Sequence, residues 1–216
     1  MASDSRVAEL NRGSEARGRI VVASGNAGKA REIARILVDY EIHSLAEFAP
    51  VDFPEECGDY FENARIKAQV AARAIGLPCV ADDSGLEVEA LGGAPGAYSA
   101  RYGGPGLDDR GRLEALLDEL SGIVPPRRAR FFCVAAIALP DGRAAVAEGA
   151  CEGEILGAPT GEGGFGYDPI FRPDGFDRSM AELDREEKDA ISHRGRAFHA
   201  LEVGIARLIG PSAAKA

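Results

Sequence analysis

Apolar positions along the chain mark most of its elements before any chemistry is considered. Ile20 to Ala23 is a short β-branched run that meets Ser24, Gly25 and Asn26 just before a helical period begins, which predicts strand, tight loop, helix. In that helix Ile33, Ala34 and Leu37 fall on one face, while Lys29, Arg31, Glu32 and Arg35 fall largely elsewhere. An alanine-dominated helix is predicted from about Tyr60 to Ile75, stopped near Gly76 and Pro78, with Cys79 to Ala81 following as a short buried strand. Leu113, Leu116, Leu117 and Leu120 stripe a third helix, and Asp108 and Asp109 stand at the end where its dipole favours acidic groups. Arg130 to Leu139 reads as a strand, Pro140-Asp141-Gly142 as a turn, and Ala144 to Ala150 as the return of a hairpin. After a glycine-rich loop from Gly157 to Gly166, Phe198, Leu201, Ile205 and Leu208 recur at helical spacing until Gly210-Pro211 ends the last helix.

Strands thus alternate with helices, an α/β or mixed α+β chain with no internal repeat and no linker, so residues 19–210 are expected to form a single domain. Residues 1–18 are polar and charged and read as a disordered N-terminal extension, and residues 211–216 as a short tail.

Composition narrows the partners. With 45% hydrophobic residues in 216, the chain can bury a substantial core. Its formal charge of -10 disfavours duplex DNA, RNA and acidic membranes, yet a few converging cations still suffice for a small phosphorylated substrate. Cys57, Cys79, Cys133 and Cys151 lie far apart, without zinc spacing, and read as reduced thiols of a cytoplasmic protein. No apolar run approaches the roughly 20 residues that span a bilayer.

Four segments carry candidate chemistry. Ser24-Gly25-Asn26-Ala27-Gly28-Lys29 offers backbone N–H groups, a hydroxyl, an amide and an ammonium at a helix start, which suits phosphate, although ordinary turn chemistry explains the same residues. It is not a Walker A loop, because Lys29 is followed by Ala30. Ala81-Asp82-Asp83-Ser84-Gly85 sets two carboxylates directly after the short strand: hard ligands for magnesium and a proton acceptor for water on one reading, a solvated turn on the other. Glu55 and Glu56 are possible further ligands. In Gly163-Gly164-Phe165-Gly166-Tyr167-Asp168-Pro169, Phe165 or Tyr167 can stack on a purine and Asp168 can read its edge, or the aromatics can anchor a surface loop. Lys188 and Ser192-His193-Arg194-Gly195 supply donors for phosphate or base carbonyl oxygens, and His193 is given a binding role only.

Taken together with Phe61-Glu62-Asn63-Ala64, Gly92-Gly93-Ala94-Pro95-Gly96 and Tyr98-Ser99-Ala100-Arg101-Tyr102, these segments resemble the inosine triphosphate pyrophosphatase family, in its order, from about Ile20 to the last helix. The resemblance implies an elongated central twisted mixed sheet flanked by helices, two lobes with the substrate between them, and a homodimer. It implies hydrolysis of dITP, ITP and XTP to monophosphate and pyrophosphate with magnesium, which keeps deaminated purines out of DNA and RNA. It places Ser24, Gly25, Asn26, Ala27, Gly28 and Lys29 on the triphosphate. Asp83 becomes the proton acceptor and a magnesium ligand, with Glu55, next to Glu56, completing the metal site. Ser84, Phe165, Gly166, Tyr167, Asp168, Lys188, His193 and Arg194 bind substrate, and Asp82 and Lys67 support them. Ser24 stands where many members have threonine, which keeps the hydroxyl.

Two rivals compete with this reading. A Maf-like pyrophosphatase shares the chemistry but not the glycine-aromatic loop or Ser192-His193-Arg194-Gly195, and a binding-only module has no need of Asp82, Asp83, Glu55 and Lys29 together.

Overall fold

The computed structural model describes residues 18–210, so the expectations for residues 1–17 and for the 211–216 tail lie outside the described residues. Six strands form one sheet in the order β2-β1-β3-β4-β5-β6: β1 Arg19–Val22, β2 Glu41–Ser44, β3 Cys79–Val88, β4 Arg128–Ala138, β5 Ala144–Ile155 and β6 Phe171–Pro173. β1 runs parallel to β2 and β3, and the pairs β3–β4, β4–β5 and β5–β6 are antiparallel. The helices are α1 Ala27–Ile36, α2 Tyr60–Ile75, α3 Asp109–Glu119, α4 Arg185–Ile191 and α5 His193–Ile209. The mixed α/β class is therefore as expected.

Period-two alternation in the strands gives the sheet two apolar faces at one end. Ile20, Val22, Val80, Cys133, Ala135 and Ile137 pack under α1 and α5 through Ile33, Leu37, Phe198, Leu201 and Ile205. On the other face Val21, Cys79, Ala81, Val134 and Ala136 meet Ala64, Ala68, Ala71 and Ala72 of α2, small side chains that let the helix lie close to the strands. Farther along the long strands, Leu86, Val88, Phe131, Cys151 and Ile155 form a separate core with Leu113, Leu116 and Leu120 of α3 and with Tyr167, Ile170 and Phe171. β3, β4 and β5 run from one end of the sheet to the other.

Several elements depart from the pattern-based expectation. β3 does not stop at Ala81 but continues to Val88, because each of its residues pairs with β4 from Cys79↔Ala138 to Val88↔Ala129. The second hairpin strand likewise runs on to Ile155. β2, with its intermediate burial, and the three-residue β6 carry no apolar run to announce them. Glu32, expected off the apolar face of α1, is 5% exposed.

Candidate functional site

The site begins where β1 ends. β1 pairs with β3 only at Val21↔Cys79 and Val22↔Val80, and the chain then leaves the sheet through Ser24 to Asn26 into α1. Asp82, Asp83 and Ser84 therefore sit mid-strand with no β1 neighbour. The sequence placed them after the strand; their place inside it has a consequence. Successive strand residues point to opposite faces, so the two adjacent carboxylates serve different neighbours.

Asp83 faces α2. Its Oδ2 accepts a 2.8 Å hydrogen bond from Asn63 Nδ2, and its Oδ1 lies 3.1 Å from Lys67 Nζ. The same ammonium reaches Glu56 Oε1 at 2.9 Å, and Arg101 approaches the other Glu56 oxygen at 3.2 Å. Burial pushes the Asp83 carboxyl above the ordinary aspartate value, and the opposing pull of Lys67, Asn63 and Lys29 does not cancel it. A carboxylate made more basic than usual, at the wall of a cleft, suits proton abstraction from water.

Asp82 and Ser84 face the other way, towards α1 and α5. Asp82 Oδ2 takes Arg194 Nη2 at 2.9 Å, Lys29 Nζ at 3.1 Å and the Ser84 hydroxyl at 3.1 Å. Arg194 continues to Glu32 Oε2 at 2.6 Å, Glu32 Oε1 meets Lys188 Nζ at 2.7 Å, and Lys188 reaches Asp168 Oδ2 at 2.7 Å. Burial pushes the Asp82 and Glu32 carboxyls up, but Lys29 and Arg194 at Asp82, and Arg194 and Lys188 at Glu32, outweigh it and hold both below their ordinary values. Asp168 stays above its usual value because burial outweighs Lys188. A continuous chain of alternating charges thus runs from Lys29 to Asp168.

Each of these cations is held by local structure. Arg194 lies in the first turn of α5, capped by Ser192, whose Oγ accepts from Gly195 N at 3.0 Å. A Cβ on Gly195 would stand 1.8 Å from the Asp189 carbonyl, so only glycine lets α5 start this close to α4. Arg35 of α1 clamps Asp189 with two bonds of 2.7 and 2.9 Å, which fixes the helix that carries Lys188.

The glycine-aromatic loop closes the cleft. Gly164 has φ +72°, and a Cβ there would meet Asp168 Oδ2 at 2.1 Å. That close turn lets the Phe165 N–H donate to Asp168 at 2.8 Å. The Phe165 ring rests on Gly28, with Lys188 Nζ 5.0 Å and Arg194 Cζ 5.7 Å from its centroid. Gly166 N donates to Asp109 Oδ2 at 3.0 Å, and the Tyr167 hydroxyl donates to the Ser99 carbonyl at 3.0 Å. Tyr167 is buried, so it anchors the loop. His193 stacks on Phe131 at 4.7 Å and 13°, and burial with Arg194 alongside pushes its imidazole well below the ordinary histidine value, leaving it neutral.

One cavity brings together Asn26, Lys29, Glu56, Asp83, Ser84, Phe165, Gly166, Tyr167, Asp168, Lys188, His193 and Arg194. Of the first candidate segment only Asn26 and Lys29 line it. Ser24 Oγ accepts from Asn26 N at 3.2 Å, and Asn26 Oδ1 caps α1 by accepting from Gly28 and Lys29 N–H at 2.8 and 3.1 Å. Gly25 and Ala27 are exposed beside them. Glu56 lines the cavity, while the preceding residue, Glu55, is exposed and is not among the residues lining it. Glu32, Asn63, Asp109 and Arg112 complete the surroundings and were given no site role from the sequence, although Asn63 lies in the Phe61-Glu62-Asn63-Ala64 motif; for Glu32 the helical offset from Lys29, close to one turn, was the available signal.

A cleft lined by ammonium and guanidinium groups, a carboxylate of raised basicity and an aromatic ring suits a phosphorylated ligand with an aromatic base. The Ham1 family model matches residues 20–203, and the chain belongs to that family. It is 51% identical over 199 residues to a dITP/XTP pyrophosphatase of Streptomyces avermitilis, covering 89% of this chain and 99% of the relative. A dITP/XTP pyrophosphatase of Deinococcus deserti is 53% identical over 187 residues, covering 85% and 88%. Among solved structures, a HAM1 protein from Coxiella burnetii superposes with a TM-score of 0.77 at 42% identity, covering 88% of this chain and 98% of the other.

Proposed function

We propose that this chain hydrolyses non-standard purine nucleoside triphosphates, dITP, ITP and XTP, to the monophosphate and pyrophosphate. The observation that carries the reading is the joining, in one cleft, of a basic carboxylate at Asp83 to the Lys29–Asp82–Arg194–Glu32–Lys188–Asp168 chain of charges. Lys29 and the start of α1 take the phosphates, and Asp83 accepts the proton of the attacking water, a role worth about 10²–10⁴ in rate. Ser84, Phe165, Gly166, Tyr167, Asp168, Lys188, His193 and Arg194 surround base and sugar. Donors on Lys188 and Arg194 satisfy a 6-oxo group and leave the 6-amino group of adenine unpaired.

The residues fit magnesium. Among the described residues no three His, Cys, Asp or Glu side chains form a cage, and magnesium is usually held by one or two carboxylates plus phosphate and water oxygens. Asp83 and Glu55 would hold it; Glu55 is exposed beside Glu56, which pairs with Lys67 and Arg101. The bound ion would offset charge on the phosphate oxygens. Among the described residues no helix is long and apolar enough to cross a membrane. A homodimer is proposed separately, checked by sedimentation of the purified chain, and a cytoplasmic location, checked by cell fractionation.

Incubation with dITP and magnesium, followed by phosphorus NMR, tests the reaction. Pyrophosphate and dIMP in equal amounts support it; inorganic phosphate and dIDP would overturn it.

A further inference from the structure

Beside the cations already described, the cleft is lined by one more, Arg112, in the first turn of α3. Its side chain is 20% exposed and its guanidinium is fixed twice: Nη2 lies 2.8 Å from Asp109 Oδ1, and Nη1 donates to the Leu107 carbonyl. The second oxygen of Asp109 receives the Gly166 N–H, so one carboxylate ties Arg112 to the aromatic loop. Phe165, the preceding loop residue, carries Lys188 and Arg194 near its ring. Neighbouring positions of one loop are therefore flanked by cations from different helices.

Lys188 and Arg194 are bound into the buried charge chain and are the donors proposed above for the 6-position of the base. Arg112 is outside that chain, and its two bonds leave N–H donors over, since a guanidinium has five and no acceptor. Such a group can be met by a carbonyl oxygen and is opposed by an amino group, donor against donor. We propose that Arg112 is a specificity-determining residue that reads the 2-position of the base, favouring the 2-oxo group of xanthine over the 2-amino group of guanine. Hypoxanthine has only hydrogen at that position and serves as the internal reference. The proposal rests on the nucleotide reading of the cleft and supplies what that reading lacks, a means of separating guanine from xanthine when both carry a 6-oxo group.

The test compares kcat/KM for dXTP, dITP and dGTP in the wild type, Arg112→Gln and Arg112→Lys. In Arg112→Gln the dXTP to dITP ratio is expected to fall about tenfold and the dGTP to dITP ratio to rise several-fold, because a glutamine carbonyl accepts from the amino group. Arg112→Lys, which keeps the charge and donors, should retain most of the dXTP preference. Unchanged ratios in Arg112→Gln, with an active wild type, would overturn the role of Arg112 alone. An equal loss on all three substrates would also overturn it, by showing that Arg112 only supports the Leu107–Asp109 turn. A wild type inactive on dITP and dXTP would overturn the underlying reading as well.

Discussion

Arg194 Nη1 lies 2.6 Å from Glu32 Oε2, a buried ion pair that joins α5 to α1 across 162 positions of the chain. Glu32 shares its other oxygen with Lys188, so one carboxylate orients both proposed base-reading cations. Removing one partner of a buried pair typically costs about 3–5 kcal/mol. Glu32→Ala is therefore expected to lose stability on that scale in urea unfolding, and Glu32→Gln, which keeps the shape, to lose less. With folded Glu32→Gln, kcat/KM for dITP should fall at least about tenfold as the two cations lose their alignment. Wild-type kinetics in that variant would remove Glu32 from the site.

Asp83 carries the heaviest catalytic assignment. Asp83→Asn keeps a hydrogen-bonding side chain beside Asn63 and Lys67 but cannot take a proton. Its kcat is expected to drop by about 10²–10⁴, with unchanged circular dichroism. Near-normal turnover would refute the role.

The adjacent glutamates Glu55 and Glu56 are separable by metal titration. Glu55→Gln is expected to raise the magnesium needed for half-maximal rate about tenfold or more. Glu56→Gln, acting through Lys67, should change it less. The reverse order would move the ligand to Glu56.

His193 gives a pH signature. Its folded value is depressed by burial and by Arg194, so below the ordinary histidine value of 6.5 the unfolded chain binds a proton that the folded chain refuses. Stability should fall as pH drops below 6.5, with a limiting slope of about 1.4 kcal/mol per pH unit from this residue. His193→Gln should lose that component in denaturation curves between pH 6.5 and 5. A variant with the wild-type slope would show that the imidazole is not held neutral.

Much of this site was legible because local rules act where its residues lie. Asn26 and Ser192 are helix caps, Gly164 and Gly195 answer close approaches, and the glycine-aromatic loop is conspicuous in composition. What stayed hidden was non-local. From the sequence the Asp82-Asp83 pair falls after the strand, as a ligand pair or as a turn, and only its pairing with β4 separates the two carboxylates to opposite faces. Glu32 looks like a solvated helix residue because its partners, Lys188 and Arg194, are more than 150 positions away. Asp109, a favourable first-turn acid on any amphipathic helix, gave no hint that it would hold Gly166. β2 and β6 are short and patterned weakly, and they form because a neighbouring strand offers them an edge.

The central claim is selective pyrophosphate release from deaminated purine triphosphates. Purified protein with magnesium, given dITP, dXTP, dGTP and dTTP separately, should release pyrophosphate rapidly from the first two and at least about a hundredfold more slowly from the others. Equal cleavage of all four would contradict the base-recognition account built on Lys188, Arg194 and Arg112, and no turnover of any would contradict the assignment of the cleft as a catalytic site.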